Sequence, residues 1–255
     1  MSPRTILGAG NDTKKESIVM KKVLVLGASG LIAPHVTPSL AHDYDLHLTD
    51  VKPHPSGTPT DHVDVTRYEQ VLQASEGMDA IMNMTVIRHD IRSFAVNTTG
   101  AWHVMRAAAE HGIKKVVHTG PQLVRRDYDH DFDVDDVPLA PGTNFYGITK
   151  YLSMEICKIY AREHGIHTVC FLFNLLGAKP TEPASMRDFP PFSVVWEDLV
   201  HACRLALEID SVPDHFQTFN LMSYLSHGKY RADKAHRMLG YAPLERVEDY
   251  FKRRD

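Results

Sequence analysis

The sequence predicts an α/β protein built on a doubly wound, mostly parallel sheet, and three observations predict it. Short apolar runs alternate with stretches of helical periodicity along most of the chain. The first apolar run ends in the glycine turn Gly27-Ala28-Ser29-Gly30-Leu31-Ile32-Ala33, which opens the first helical stretch. The second run closes on an acid, Asp50. Regular strand-helix-strand succession favours parallel pairing with helices on both faces of one sheet. Together with the glycine turn it defines a Rossmann-type core, followed by a small C-terminal substrate-binding region.

Residues 22–27 form a continuous apolar run, as expected of a strand buried on both faces, and are assigned as the first and central strand. Helical spacing follows over 31–40; Pro34 is tolerated in the first turn, whereas Pro38 is expected to kink or shorten the helix. Strands are expected at 45–50 and 62–65, then an amphipathic helix at 67–74 and a strand at 79–85. Residues 91–111 have helical periodicity, ending at the C-cap glycine Gly112. A strand at 115–119, a long helix at 144–164 and a strand at 167–174 continue the alternation. The texture then changes: 179–192 contains four prolines and reads as a loop over a substrate pocket. A helix at 196–208, a strand at 216–222 and two short helices at 231–239 and 244–252 complete the chain.

With 255 residues and 43% hydrophobic content, one large core suffices, so one folding unit is expected. Within it, 1–19 reads as a flexible extension or the product of an upstream start codon, 20–177 as the nucleotide-binding core, and 178–255 as lid and C-terminal elements. A net charge of −4 with scattered basic residues offers no nucleic-acid surface. No apolar run approaches the ~20 residues needed to cross a bilayer, and the first twenty residues lack a secretory apolar stretch. The three cysteines have no close pairing and read as buried thiols in a reducing compartment, which argues for a cytoplasmic protein. Sixteen histidines show no metal-ligand spacing.

In the glycine turn, Gly27 permits a tight bend, Gly30 lets the backbone approach a pyrophosphate, and Ala33 allows close helix-strand packing. Ser29, Leu31 and Ile32 sit where amides at the helix N-terminus face the anion. Asp50, twenty residues beyond Gly30, is placed to accept hydrogen bonds from ribose hydroxyls and to repel a 2′-phosphate, which favours NAD over NADP despite nearby Lys52. Asp64 and Val65 are expected to border the adenine. Met84 and Thr85 end the strand beside the cofactor, where Thr85 provides space rather than chemistry.

Tyr146-Gly147-Ile148-Thr149-Lys150 places a tyrosine and a lysine four residues apart at the start of the long helix, hence on one face. A nearby ammonium and the positive charge of the oxidised cofactor are expected to lower the tyrosine pKa, fitting it for proton exchange with a substrate hydroxyl or carbonyl. Lys150 is also placed to hold the nicotinamide ribose. These segments, with Val96-Asn97-Thr98-Thr99-Gly100 and Asn174-Leu175-Leu176-Gly177, resemble in order the extended short-chain dehydrogenase/reductases of the NAD-dependent epimerase/dehydratase kind. The resemblance implies Tyr146 as general acid/base, Lys150 as its support and Asn97 as an organiser of the site. One departure stands out: the family's Ser or Thr after the fifth strand falls here on Pro121, which has neither hydroxyl nor N–H. Losing that donor costs ~10²–10³ in rate unless it is replaced. Thr119, two positions earlier, and Gln122 are the candidate replacements.

The compact tail Phe219-Asn220-Leu221-Met222-Ser223, with Leu239-Gly240-Tyr241-Ala242-Pro243, is similar to that of the uronate dehydrogenases in the superfamily. It implies a small sugar or sugar acid as substrate, with Arg88 or Arg187 pairing a carboxylate and Asn174 and Gln122 near the substrate. The resemblance also implies a homodimer through the long helices, with Ile148, Leu152 and Ile156 as contact residues. The competing reading is a catalytically impaired NAD-binding sensor or regulatory protein, on the ground of Pro121.

Overall fold

The computed structural model describes residues 20–121, 140–182, 193–223, 233–245 and 247–250. Its main sheet has seven parallel strands in the order β3-β2-β1-β4-β5-β6-β9, where β1 is Lys22–Leu26, β2 Asp45–Asp50, β3 Asp61–His62, β4 Ala80–Asn83, β5 Lys115–Pro121, β6 His167–Phe173 and β9 Phe216–Asn220. β1 is interior but third from the edge, so β4 is the middle strand.

Each strand of the sheet's centre is apolar on both sides because helices cover both. Val23, Val25, Met82, Val117 and Phe171 pack on the face of α1 (Ala33–Leu40) and α5 (Trp196–Glu208). Leu24, Leu26, Ile81 and Val116 pack on the opposite face, against α2 (Tyr68–Ser75), α3 (Gly100–Glu110) and α4 (Phe145–His164). Every one of these side chains is at most 1% exposed, and each contributes roughly 1.5–3 kcal/mol by leaving water.

The differences from expectation are local. Pro38 lies inside α1 without ending it, and the helix still runs to Leu40. The third strand is only two residues long, because the chain turns at Asp64, whose carboxylate accepts from the Thr66 amide and hydroxyl. The helix expected over 91–111 begins as a π-helical turn, Phe94–Thr99, before α3 proper. The fifth strand extends to Pro121, which pairs in register with Phe173 at the strand's last position, where a missing N–H costs least. A short parallel pair, β7 (Leu175–Gly177) with β8 (Ser193–Val195), was not expected from sequence. Cys157, Cys170 and Cys203 are free and buried. Among the described residues no helix is long and apolar enough to cross a membrane.

Candidate active site

A cleft of about 610 Å³ opens over the C-terminal ends of β1, β2 and β4. Gly27 forms its floor with φ +84°, and a Cβ there would stand 2.9 Å from the Thr85 amide nitrogen. No L side chain fits both constraints, so the floor is bare backbone. At Gly30 a Cβ would lie 3.1 Å from the Gly27 carbonyl oxygen. The turn is held from below: the Gly27 and Ala28 amides donate to the Thr49 carbonyl at 3.0 and 2.9 Å.

Asp50 stitches the turn to the end of β2. Its carboxylate accepts from the Ser29 amide and the Lys52 amide, both at 3.0 Å, while the Ser29 hydroxyl donates to the Lys52 carbonyl. Asp64, Val65, Met84 and Thr85 line the same cleft, as does Ser29. Val65 is packed against Gly100, where a Cβ would stand 2.8 Å from Val65 Cγ2. Leu31 and Ile32 precede α1, the first exposed and the second buried, and neither lines the cleft. Sequence reasoning missed Val86, Ile87, Arg92 and Ala95, which line the cleft together with Val96, the first residue of the Asn97 motif. A wider groove of about 780 Å³ lies between Tyr44, His54 and Pro59, and none of the expected site residues line it.

The expected Tyr146 and Lys150 sit in the first and second turns of α4. The Asn144 side chain caps that helix by accepting from the Gly147 amide at 2.8 Å. Gly147 is obligatory, since a Cβ there would stand 2.0 Å from the Pro141 carbonyl oxygen. Asn97, 2% exposed, faces this turn from the π-helical segment. Its amide nitrogen donates to the Thr149 hydroxyl at 2.9 Å and the Ile87 carbonyl at 2.7 Å, and its oxygen accepts from the Ile87 amide at 2.9 Å. Both ends of one peptide residue are thereby clamped next to Arg88.

Lys150 is 1% exposed, and its Nζ has no hydrogen-bond partner among the described residues. Burial pushes its pKa down to about 8; the neighbouring Cys170 and Cys157 oppose the fall and the Arg88 charge adds to it. His118 lies beside it, bonded through Nε2 to the Ser153 hydroxyl at 3.0 Å; burial, then the Lys150 charge, holds it well below the usual histidine range.

Tyr146 differs from expectation. Burial raises its phenol pKa above the ordinary value, and the cation that opposes this is Arg88, by charge and by hydrogen bonding. The Arg88 guanidinium carbon lies 5.3 Å from the Tyr146 ring centroid. Desolvation outweighs the single partner, so the net shift is upward.

The remaining expected residues are not all brought together. Thr119 pairs in register with Phe171 and is buried on the α1/α5 face, whereas His118 faces α4. Asn174 is exposed just beyond β6. Gln122 and Arg187 lie outside the described residues.

A model of the NAD dependent epimerase/dehydratase family matches residues 23–193. The chain is similar to the uncharacterized protein YtbQ of Bacillus subtilis, with 30% identity over 169 residues, covering 59% of this chain and 66% of that one. It is also similar to a uronate dehydrogenase of Pseudomonas putida, with 26% identity over 175 residues, covering 65% of this chain and 64% of that one. The alignments thus span just under two thirds of these relatives' length. A uronate dehydrogenase variant of Agrobacterium tumefaciens, solved in complex with NAD, superposes with a TM-score of 0.74 at 19% identity, covering 91% of this chain and 88% of that one. At that identity the likeness shows the fold.

Proposed function

The chain belongs to the NAD-dependent epimerase/dehydratase family, and from that premise we propose that it is an NAD-dependent oxidoreductase or epimerase acting on a small sugar or sugar acid. The observation that carries this reading is the position of Tyr146 and Lys150 one turn apart at the capped start of α4, tied by Asn97 to the loop that borders the nucleotide cleft.

The bare floor at Gly27 fits a pyrophosphate, Asp50 fits the ribose hydroxyls and Val65 an adenine face. Lys150 would hold the nicotinamide ribose, with Met84 and Thr85 beside it. When bound, NAD supplies the acceptor for a hydride leaving the substrate carbon. In oxidation, the proton of the substrate hydroxyl would pass to the Tyr146 oxygen as the C–O bond becomes C=O; this requires the phenolate, which burial disfavours and the Arg88 charge favours. The substrate class rests on the uronate dehydrogenases and sugar epimerases among the relatives. Gln122, Asn174 and Arg187 remain proposed contacts on the substrate side, and Thr119 remains the proposed replacement for the β5 hydroxyl only if its oxygen reaches the site from the α1/α5 face.

A homodimer and a cytoplasmic location are part of the same proposal. Phe145, Trp102, Leu152 and Ile159 are 37–63% exposed on α3 and α4, an apolar surface suited to pairing with a second copy. The second reading, an NAD-binding sensor without turnover, is favoured by Pro121 at the end of β5. Incubation with NAD and a panel of uronic acids and neutral aldoses, followed by NADH absorbance, tests the choice. Tyr146-dependent NADH supports the dehydrogenase; NAD binding with no turnover and no epimerisation supports the sensor.

A further inference from the structure

Three features bear on the Tyr146 phenol, and one of them, Arg88, touches its ring. The end of β5 offers Pro121 instead of a hydroxyl-bearing residue. The Lys150 ammonium is enclosed beneath the helix among His118, Cys157 and Cys170, from β5, α4 and β6. The half-buried Arg88 guanidinium, by contrast, lies against the tyrosine ring at 5.3 Å from its centroid.

Arg88 is held there by its neighbours. Asn97 clamps the preceding Ile87 through both its amide and its carbonyl, at 2.9 and 2.7 Å. Downstream, Asp90 is engaged by Arg92 through paired hydrogen bonds, the shortest 2.7 Å, and so does not neutralise Arg88. A guanidinium offers five N–H donors in a fixed plane, so it can donate to the Tyr146 oxygen while lying against the ring.

We propose that Arg88 supplies Tyr146 with the hydrogen-bond donor that the β5 hydroxyl provides elsewhere in the family, and adds a positive charge that a hydroxyl lacks, acting as a positioning residue through Tyr146. The inference rests on Tyr146 being the proton-transfer residue and extends the carboxylate-binding role expected of Arg88. It requires Arg88 to matter for neutral aldoses as much as for uronic acids, and to act on kcat rather than on KM alone.

The test is NMR of the full chain labelled with [13Cζ]tyrosine. The resonance missing from Tyr146→Phe identifies Tyr146, and its pH titration is followed in wild type, Arg88→Met and Arg88→Lys. In Arg88→Met the midpoint is expected to rise by about one pH unit, and Arg88→Lys to recover part of that shift. Where turnover is found, Arg88→Met should lower kcat by about 10²-fold for both substrate types and move the pH profile the same way. Should Arg88→Met fail to fold, Arg88→Gln replaces it in the same titration. An unchanged Tyr146 midpoint overturns the proposal even if the enzyme turns over sugars. A shifted midpoint in a protein that turns over nothing shows that Arg88 acts on the Tyr146 phenol but overturns the proposed function, and with it the catalytic part of the proposal.

Discussion

The Asn97 amide donates to the Thr149 hydroxyl over 2.9 Å, joining the π-helical turn that follows β4 to the N-terminal part of α4. This one side chain fixes the two segments that carry Arg88 and Tyr146, so its loss should be felt both in stability and in turnover.

In Asn97→Ala the Ile87 amide and carbonyl both lose a partner, at a cost of about 1–3 kcal/mol for each group left buried and unpaired. We expect a total loss on the order of 3 kcal/mol and a fall in kcat exceeding the change in NAD affinity. Denaturant unfolding and isothermal titration with NAD, run on the same preparation, measure the two effects. A variant as stable as wild type would show that water replaces all three contacts.

Gly27 and Gly57 allow a controlled comparison, because both have positive φ, +84° and +76°, but only Gly27 has a neighbour within reach of a Cβ. Gly57→Ala should cost about 1 kcal/mol, the strain of the backbone alone. Gly27→Ala adds a collision with the Thr85 amide and should cost roughly 2–4 kcal/mol, with NAD affinity reduced at least about tenfold. Equal losses of stability in the two variants, with NAD binding intact, would reject Gly27 as the pyrophosphate floor.

Asp50 combines a structural and a selective role. In Asp50→Asn the amide nitrogen must face one of the two amide donors, Ser29 or Lys52, that the carboxylate accepts. We expect about 1 kcal/mol of lost stability. Removing the charge should also narrow the preference for NAD over NADP by about tenfold, since the repulsion of a 2′-phosphate is gone. Paired binding titrations with the two nucleotides give the ratio; an unaltered ratio would move the determinant elsewhere in the cleft, to Lys52 or Arg92.

Much of this arrangement is legible in the sequence where local pattern and tertiary burial agree. The bounds of β2 and α5 follow from strand alternation and helical periodicity, and the glycine turn locates the cleft. The π-helical turn at Phe94–Thr99 is invisible, because one shifted hydrogen-bond register leaves the apolar spacing almost unchanged. The β7–β8 pair joins segments far apart in the chain and has no local signature. Arg88 is similar: its neighbours mark a loop, and only the folded chain lays it on Tyr146. The four-residue spacing of Tyr146 and Lys150 places both on one helix face, yet it does not reveal that the ammonium is sealed in.

That sealed ammonium gives the protein an alkaline signature. Lys150 has a pKa near 8 in the folded chain against 10.5 for the free group. Between those values the unfolded chain binds the proton that the folded one has released, so stability rises with pH across that window. Below about pH 8 the cost of burying the charge is fully present, at most about 3 kcal/mol; above about 10.5 it has vanished. Lys150→Met fills the same space without a charge. It should therefore be more stable than wild type at pH 7, should lose that advantage progressively from pH 8 to 10.5, and should have little turnover at any pH. Guanidinium chloride unfolding of both proteins at half-unit pH steps isolates the contribution, because other alkaline titrations cancel in the difference. A difference that stays constant across the window would mean that Lys150 keeps its proton in the folded state, with water or another partner reaching its Nζ.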